Sequence, residues 1–399
     1  MQDRQRIRKQ ALVRALMAVV ASVLVAFGLM LLDGLLWPAA ISAVVGGVMV
    51  ADWFLRQRGA VPVLVYHSVS DNAGWLPWAH NTSVRIEVFR RHLRVLEKGR
   101  WNVMHSREIA HARRMGVPLP PRTVALQFDD GYLDNWVAAV PLLEKAGFPA
   151  VIFASTDFID PSSGLRPNLW ESGAVWEGYM NRDELRSVDA NPLFEIASHG
   201  ANHGRVPVDG PAVGTWQVED WQAHAALLWA GTYHNKSHWF RETLSPALVG
   251  QDIPASDSAL TGRALVKGSE ETAARYHARV LAHLKRARNG LEHVLKRPVD
   301  FLCWPYDRVT PVARALAEEA GFALFTGGRG ENRIDEDPTT QSRVHINDFS
   351  AGPAPIWVEA LVFRARLGVA AGNYWWMPVA LLATRRRARH MPVPKGPGA

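Results

Sequence analysis

Polar and apolar positions divide this chain into two regimes. The first fourteen residues are polar and basic, with Arg4, Arg6, Arg8, Lys9 and Arg14 against one acid, Asp3. Positions 15–32 are then apolar without interruption, and after Asp33-Gly34 a second apolar run covers 35–51. As helices, these runs are each about 26 Å long, adequate for a ~30 Å hydrocarbon core with some local thinning. Their length and the lack of a small-residue cleavage site predict a retained membrane segment rather than a cleaved leader. From Val61 onward the pattern changes to short apolar runs of strand length, at 61–66, 101–104, 124–128, 149–154, 193–197, 299–304, 323–326 and 342–346. Helical patterns alternate with them: Ile86, Phe89, Leu93 and Leu96 recur at three- and four-residue spacing behind Ser83 as a candidate cap, and further helices are expected at 107–114, 134–145, 270–296 and 311–320. Such alternation predicts a parallel α/β barrel.

The alternation fails between about 204 and 262, where Pro, Gly, Ser and aromatic residues cluster over a stretch longer than a barrel loop requires. This reads as an insertion beside the rim. It carries His234 and His238, whose Asn, Lys and Ser surroundings favour a loop coincidence over a metal site. The expected domains are therefore 1–58, a basic tail with a transmembrane hairpin or anchor; 61–350, the barrel with its insertion; and 351–399, a C-terminal tail. In that tail, Tyr374-Trp375-Trp376, a short apolar run and Arg385, Arg386, Arg387 and Arg389 suit an interfacial segment, or else a last barrel helix with a solvated basic end.

Composition adds less. A length of 399 residues with 48% hydrophobic content is ordinary for a globular enzyme with a membrane segment. The net charge of +7 gathers at the termini, which favours a membrane surface over nucleic acid, and no nucleic-acid motif accompanies it. The sixteen tryptophans can stack on sugars, anchor at a membrane interface or fill the core. Cys303 is the single cysteine, so no internal disulfide forms. Two topologies stay open: a hairpin turning at Asp33-Gly34, which keeps both ends and the barrel in the cytoplasm with the basic residues, or a single tilted crossing that puts the barrel outside.

The chemistry lies where strands end. Asp129 and Asp130 follow the 124–128 strand, and adjacent side chains pointing apart allow one to hold a cation while the other handles a proton. His199 and His203 follow the 193–197 strand at a spacing suited to one metal ion. Each piece alone has a bland reading, a solvated turn or two surface histidines. Together, one carboxylate and two imidazoles make a facial set with positions left for water and substrate.

Phe128-Asp129-Asp130-Gly131, His199-x-x-x-His203 and Trp304-Pro305-Tyr306 resemble the three leading motifs of the polysaccharide deacetylases, the NodB-like carbohydrate esterase family 4. The resemblance runs from about Val61 to about Asp348, and the opening Val63-Leu64-Val65-Tyr66-His67-Ser68-Val69 is most similar to the poly-N-acetylglucosamine deacetylases of biofilm matrices. It implies a distorted (β/α) barrel of the NodB type and a hydrolase of carbon–nitrogen amide bonds, removing N-acetyl groups from amino sugars. It also implies one divalent metal ion, Zn with Co, Ni or Fe as alternatives, on Asp130, His199 and His203. Asp129 is implied as the base and the Tyr132 backbone N–H as an oxyanion donor. His67 is implied as the general acid, with His345 as runner-up, since no late Leu-x-His motif matches. Trp304, Pro305 and Tyr306 are expected to line the acetyl pocket, with core packing as the competing role. The implied setting is the bacterial inner membrane, with an N-acetylated glycan as substrate and polysaccharide-synthesis machinery as a partner. Two further readings stay open: deacylation or deformylation of a lipid-linked sugar at the cytoplasmic face, and a non-catalytic saccharide-binding or scaffold protein. Two departures matter: Cys303 stands where the third motif usually has the arginine that orients the base, and Gly200 where Ser or Thr usually follows the first metal histidine.

Overall fold

A computed structural model describes residues 2–32, 37–56, 59–231, 234–327 and 330–391. At its centre lies a parallel sheet whose strands are apolar on both faces, as a sheet covered by helices requires. Val63–Tyr66, Thr123–Phe128, Ala150–Ala154, Phe301–Cys303 and Leu324–Thr326 are buried at every position, and Phe194–Ser198 at all but Glu195. The order across the sheet is Thr340–Gln341, Leu324–Thr326, Phe301–Cys303, Phe194–Ser198, Ala150–Ala154, Thr123–Phe128, Val63–Tyr66, Val344–His345, with Asn102–Val103 also on Thr123–Phe128.

The two outermost strands are separated in the chain only by Ser342 and Arg343. One short strip of chain thus lies at both edges, and the sheet curls into a distorted (β/α) barrel with its seam there. Side chains meet across the interior: buried Gln127, from the middle of the sheet, donates to Gln341 Oε1 at the edge over 2.9 Å. The strand expected at 342–346 is the short Val344–His345, preceded by a separate edge strand, Thr340–Gln341, because the backbone must leave one edge before it joins the other.

Helices cover the outside. Ile86–Lys98 buries Ile86, Val88, Phe89, Leu93 and Leu96 along one face. Ser83 does not cap it: Ser83–Val84 pairs in parallel with Ser68–Val69, and Asp71 Oδ1 accepts the Ile86 N–H at 3.1 Å instead. The helix expected at 134–145 opens as a π-turn, Asn135–Ala139, and continues as Val140–Ala146. The insertion forms short antiparallel pairs, such as Arg205–Pro207 with Ser256–Ser258, around an aromatic core that includes Trp216, Trp221, Trp229 and Trp239. It runs on through Leu265–Val266 and Ser269–Glu270 before the long helix Ala273–Leu295 begins.

The N-terminal helices, Gln2–Leu32 and Trp37–Leu55, pack antiparallel: Ser22 faces Gly47, and the Arg14 guanidinium lies 5.9 Å above the Phe54 ring. A Cβ at Gly47 would stand 2.1 Å from Ser22 Oγ, so glycine sets how closely the pair approaches. Both helices are long and apolar enough to cross a membrane by length and composition. The C-terminal segment folds as Trp357–Ala370 and Met377–His390, and Phe363 stacks on buried His92 at 4.1 Å, which attaches it to the barrel.

Candidate active site

Every chemistry-bearing residue follows the C-terminal end of a barrel strand: His67 after Val63–Tyr66, Asp129 and Asp130 after Thr123–Phe128, His199 after Phe194–Ser198. Parallel strands deliver their ends to one rim, so positions far apart in the chain converge. His199 Nε2 is 3.3 Å and His203 Nε2 3.6 Å from Asp130 Oδ1. One donor atom from each of the three lies within 4.8 Å of the others. His199 Nδ1 is 3.1 Å from the Cys303 carbonyl oxygen, which fixes the ring and turns Nε2 toward Asp130. Two imidazole nitrogens and one carboxylate oxygen so gathered fit a divalent cation of the zinc type.

Backbone strain gathers at the same place. Asp130 has φ +71°, His203 +49°, Tyr306 +61° and Asp307 +51°, all in the left-handed region that costs a non-glycine residue energy. The surroundings over-determine these conformations; Tyr306, for example, donates its hydroxyl to the His203 carbonyl at 2.8 Å and packs its ring against the imidazole.

Asp129 faces the other way. It is 2% exposed, with Oδ1 accepting from Arg343 Nη1 at 2.6 Å and Oδ2 lying 3.7 Å from His67 Nε2. Burial alone would push its carboxyl up, but Arg343, His199 and His67 outweigh this and hold it below the usual carboxylate value. An ionised carboxylate is thus kept beside the cation set. Burial likewise raises Asp130, yet the neighbouring histidines bring it far below the ordinary value. His67 is pulled below the usual histidine value by burial, with Asp129 and Asp130 opposing. His203 is lowered to about 4, again by burial first. His345 stacks on His67 at 5.8 Å and is 2.5 Å from Asp307 Oδ2, so both acid candidates stand at one mouth.

Arg343 was not among the residues singled out for chemistry. It sits at the barrel seam, buried, and bridges Asp129 to Asp307. It supplies the guanidinium missing at Cys303, whose Sγ is 3.5 Å from Asp129 Oδ1. A signal existed: Arg343 and His345 are two residues apart, which on a strand puts both on one side. The second departure has a similar answer. Gly200 has φ +78°, and a Cβ there would stand 3.1 Å from His283 Nε2, which accepts the Ala201 N–H at 2.8 Å. A half-buried histidine from the Ala273–Leu295 helix thus pins the turn between His199 and His203. Asp134 and Asn135, also missed, clamp the strand after His67: Asp134 accepts from Ser68 Oγ at 2.6 Å and the Val69 N–H at 3.1 Å, while Asn135 donates to the His67 carbonyl at 2.7 Å.

A pocket opens beside Asp130 and His203, walled by Trp78, Tyr132, Phe158, Tyr179 and Trp229. The insertion and the 75–78 loop orient this wall, since Trp78 donates to the Tyr132 hydroxyl at 3.1 Å and Trp239 to the Tyr179 hydroxyl at 3.0 Å. Of the third motif, Tyr306 lies against His203, whereas Trp304 is buried and stacks on Phe325 at 6.0 Å. His238 pairs with Asp160 at 3.3 Å, and among the described residues His234 and His238 are not gathered with a third ligand.

Residues 116–261 match the polysaccharide deacetylase family, a stretch holding Asp129, Asp130, His199 and His203. The poly-β-1,6-N-acetyl-D-glucosamine N-deacetylase of Escherichia coli K12 is 23% identical over 278 residues, covering 68% of this chain and 35% of that protein. The chain therefore spans about a third of the length of the curated relatives it first matches. Among solved structures, a de-N-acetylase from Aggregatibacter actinomycetemcomitans aligns with a TM-score of 0.51 at 21% identity, over 72% of this chain and 95% of that one. The BpsB deacetylase domain from Bordetella bronchiseptica aligns with a TM-score of 0.51 at 24% identity, over 73% of this chain and 97% of that one. These two likenesses are of fold. The resemblance read from the short motifs is borne out as similarity: residues 116–261 match the polysaccharide deacetylases, and the chain shares the barrel of these two deacetylase structures.

Proposed function

We propose that this chain is a divalent-metal-dependent hydrolase that removes N-acetyl groups from amino sugars of a polysaccharide or glycoconjugate. One observation carries the reading. Asp130, His199 and His203 present three donors to one point, beside a second carboxylate, Asp129, that is held by Arg343 and left outside the donor set. A cation there supplies Lewis-acid polarisation of the acetyl carbonyl and makes water a better nucleophile near neutral pH. Zn suits the donors, and Co, Ni or Fe are alternatives.

The chain's own groups supply the rest. Asp129, ionised beside the donor set, takes the proton from the attacking water. His67 hands a proton to the departing amine; its backbone is fixed by Asn135, and His345 is the second candidate at the same mouth. The Tyr132 backbone N–H is assigned to the developing oxyanion. Tyr306 and the aromatic wall are assigned to the acetyl group, with Pro305 opening the turn that carries Tyr306, while the Trp304 indole packs in the core against Phe325. The scaffold reading rested on Cys303 and Gly200 alone, and Arg343 and His283 answer both. The Escherichia coli relatives are named for poly-β-1,6-N-acetyl-D-glucosamine, which makes that polymer the first glycan to try, with synthesis machinery as the matching partner.

The test uses the full chain in detergent, loaded with Zn or Co, with acetate release followed on chito-oligomers and a small acetyl ester. Wild type releases acetate, whereas Asp129→Asn and His199→Ala do not. Equal rates in all three would end the proposal.

A further inference from the structure

Both ends of the N-terminal hairpin are fastened, one to Glu331 of the barrel and the other to the C-terminal segment that docks on it. At the start of the first helix, Arg8 pairs with Glu331 at 3.7 Å and lies 5.9 Å over the Tyr374 ring, and Tyr374 donates its hydroxyl to Glu331 at 2.7 Å. At the end of the second, Asp52 accepts from Trp375 Nε1 at 2.8 Å, and the Arg56 backbone bridges to Asn373. Ala11, Ala15, Ala51 and Leu55 are buried with Val369 and Tyr374. Farther out, toward the turn, the pair is apolar on its exterior, with Leu24 65% and Ile41 59% exposed. In water that band is unfavourable; in lipid it is matched.

If the hairpin crosses, the barrel therefore lies on the side of the first residues. That side carries Arg4, Arg6, Arg8, Lys9, Arg14 and Arg56, and the last helix adds Arg385, Arg386, Arg387 and Arg389. Such an excess marks the cytoplasmic face and suits its anionic leaflet. The last helix also links membrane and cleft. Met377 and Ala380 pack on the hairpin cluster, and Arg387 donates to the His80 carbonyl at 2.5 Å, two residues beyond Trp78 on the pocket wall. From Met377 to Arg387 is about 15 Å of helix. Leu381 and Leu382 lie exposed on it, beside exposed Arg385 and Arg389, which is the pattern of a helix resting in a headgroup layer.

We infer that the barrel is clamped to the inner leaflet on its cytoplasmic face, and that the amino sugar it deacylates is carried on a lipid in that leaflet rather than on an exported polymer. This rests on the deacetylase reading for its chemistry, but on the hairpin alone for its side.

Two arms test it. Cys303 is buried, so Asp209→Cys in the exposed insertion can report on the intact chain. A membrane-impermeant maleimide should label it only after the inner membrane of expressing spheroplasts is opened; labelling of sealed spheroplasts overturns the inference. In anionic vesicles, acetate release from a polyprenyl-linked N-acetyl amino sugar should exceed that from a soluble chito-oligomer at least tenfold. Leu381→Glu with Leu382→Glu should remove the excess while leaving the soluble rate unchanged. A preference for the soluble oligomer also overturns the inference. If neither substrate is cleaved, the deacetylase reading fails and the labelling still decides the side.

Discussion

The barrel rim and the helical end formed by the N-terminal hairpin with the last two helices solve opposite problems. At the rim, charges are drawn inward and paired: Asp129 and Asp307 share Arg343, and His199 is held by the Cys303 carbonyl. At the helical end, apolar side chains face outward along the hairpin, basic residues gather on the last helix, and Arg8 with Glu331 and Asp52 with Trp375 fasten the two together. The difference teaches where each region's stability comes from. The rim depends on complete pairing in a low dielectric, where losing one partner strands another. The helical end depends on the surrounding medium and needs only a modest polar lock.

Arg343→Leu should break the rim most. It strands the buried Asp129 carboxylate and takes one partner from the half-exposed Asp307, at about 3–5 kcal/mol in stability, and acetate release should fall on the order of 10²-fold. Without the guanidinium the Asp129 carboxyl rises, so the acid limb of kcat/KM should move to higher pH, and Arg343→Lys should restore part of the shift. An unmoved limb would mean that Arg343 is structural only. Next, His283→Ala frees the turn between the metal histidines and should weaken Zn or Co binding roughly 10–100-fold by calorimetry, with little change in KM once the metal saturates.

His92 sits where the two regions meet, and its effect is a pH dependence. Burial lowers it to about 3, against Asp348, so the folded protein keeps it neutral while the unfolded chain protonates below about pH 6.5. Its contribution is present above that value and lost as pH falls toward 3. At pH 5 the loss amounts to about 2 kcal/mol. His92→Gln should therefore flatten the drop in urea midpoint between pH 7.5 and 5. The smallest effect belongs to the helical end: Asp52→Ala removes the bonds to Trp375 and Arg56 and should cost about 1 kcal/mol, read as a lower unfolding midpoint in detergent with acetate release unchanged.

What the sequence reveals follows the same division. Apolar runs bounded by turns show the strands, because a parallel sheet buried on both faces needs continuous apolar runs. Asp129, Asp130 and His199 are legible because they come at the end of such a run, and His203 because it stands four residues from His199. Arg343 and His283 are not, since their roles come from the seam's closure and from helix packing, which bring positions 214 and 82 residues away onto Asp129 and Ala201. The missed cap is of the same kind: Ser83 is a good cap by type, yet pairing with Ser68–Val69 claims its segment and Asp71 takes the role.

The most direct test of the site counts bound metal and acetate release together on one preparation of wild-type protein and of Asp129→Asn. The expected result is one tightly held divalent ion per chain in both proteins, with acetate released by the wild type alone. A variant that turns over as fast as wild type, or a wild-type chain that stays metal-free in a metal-replete buffer, would contradict the assignment of Asp129 as base beside a cation on Asp130, His199 and His203.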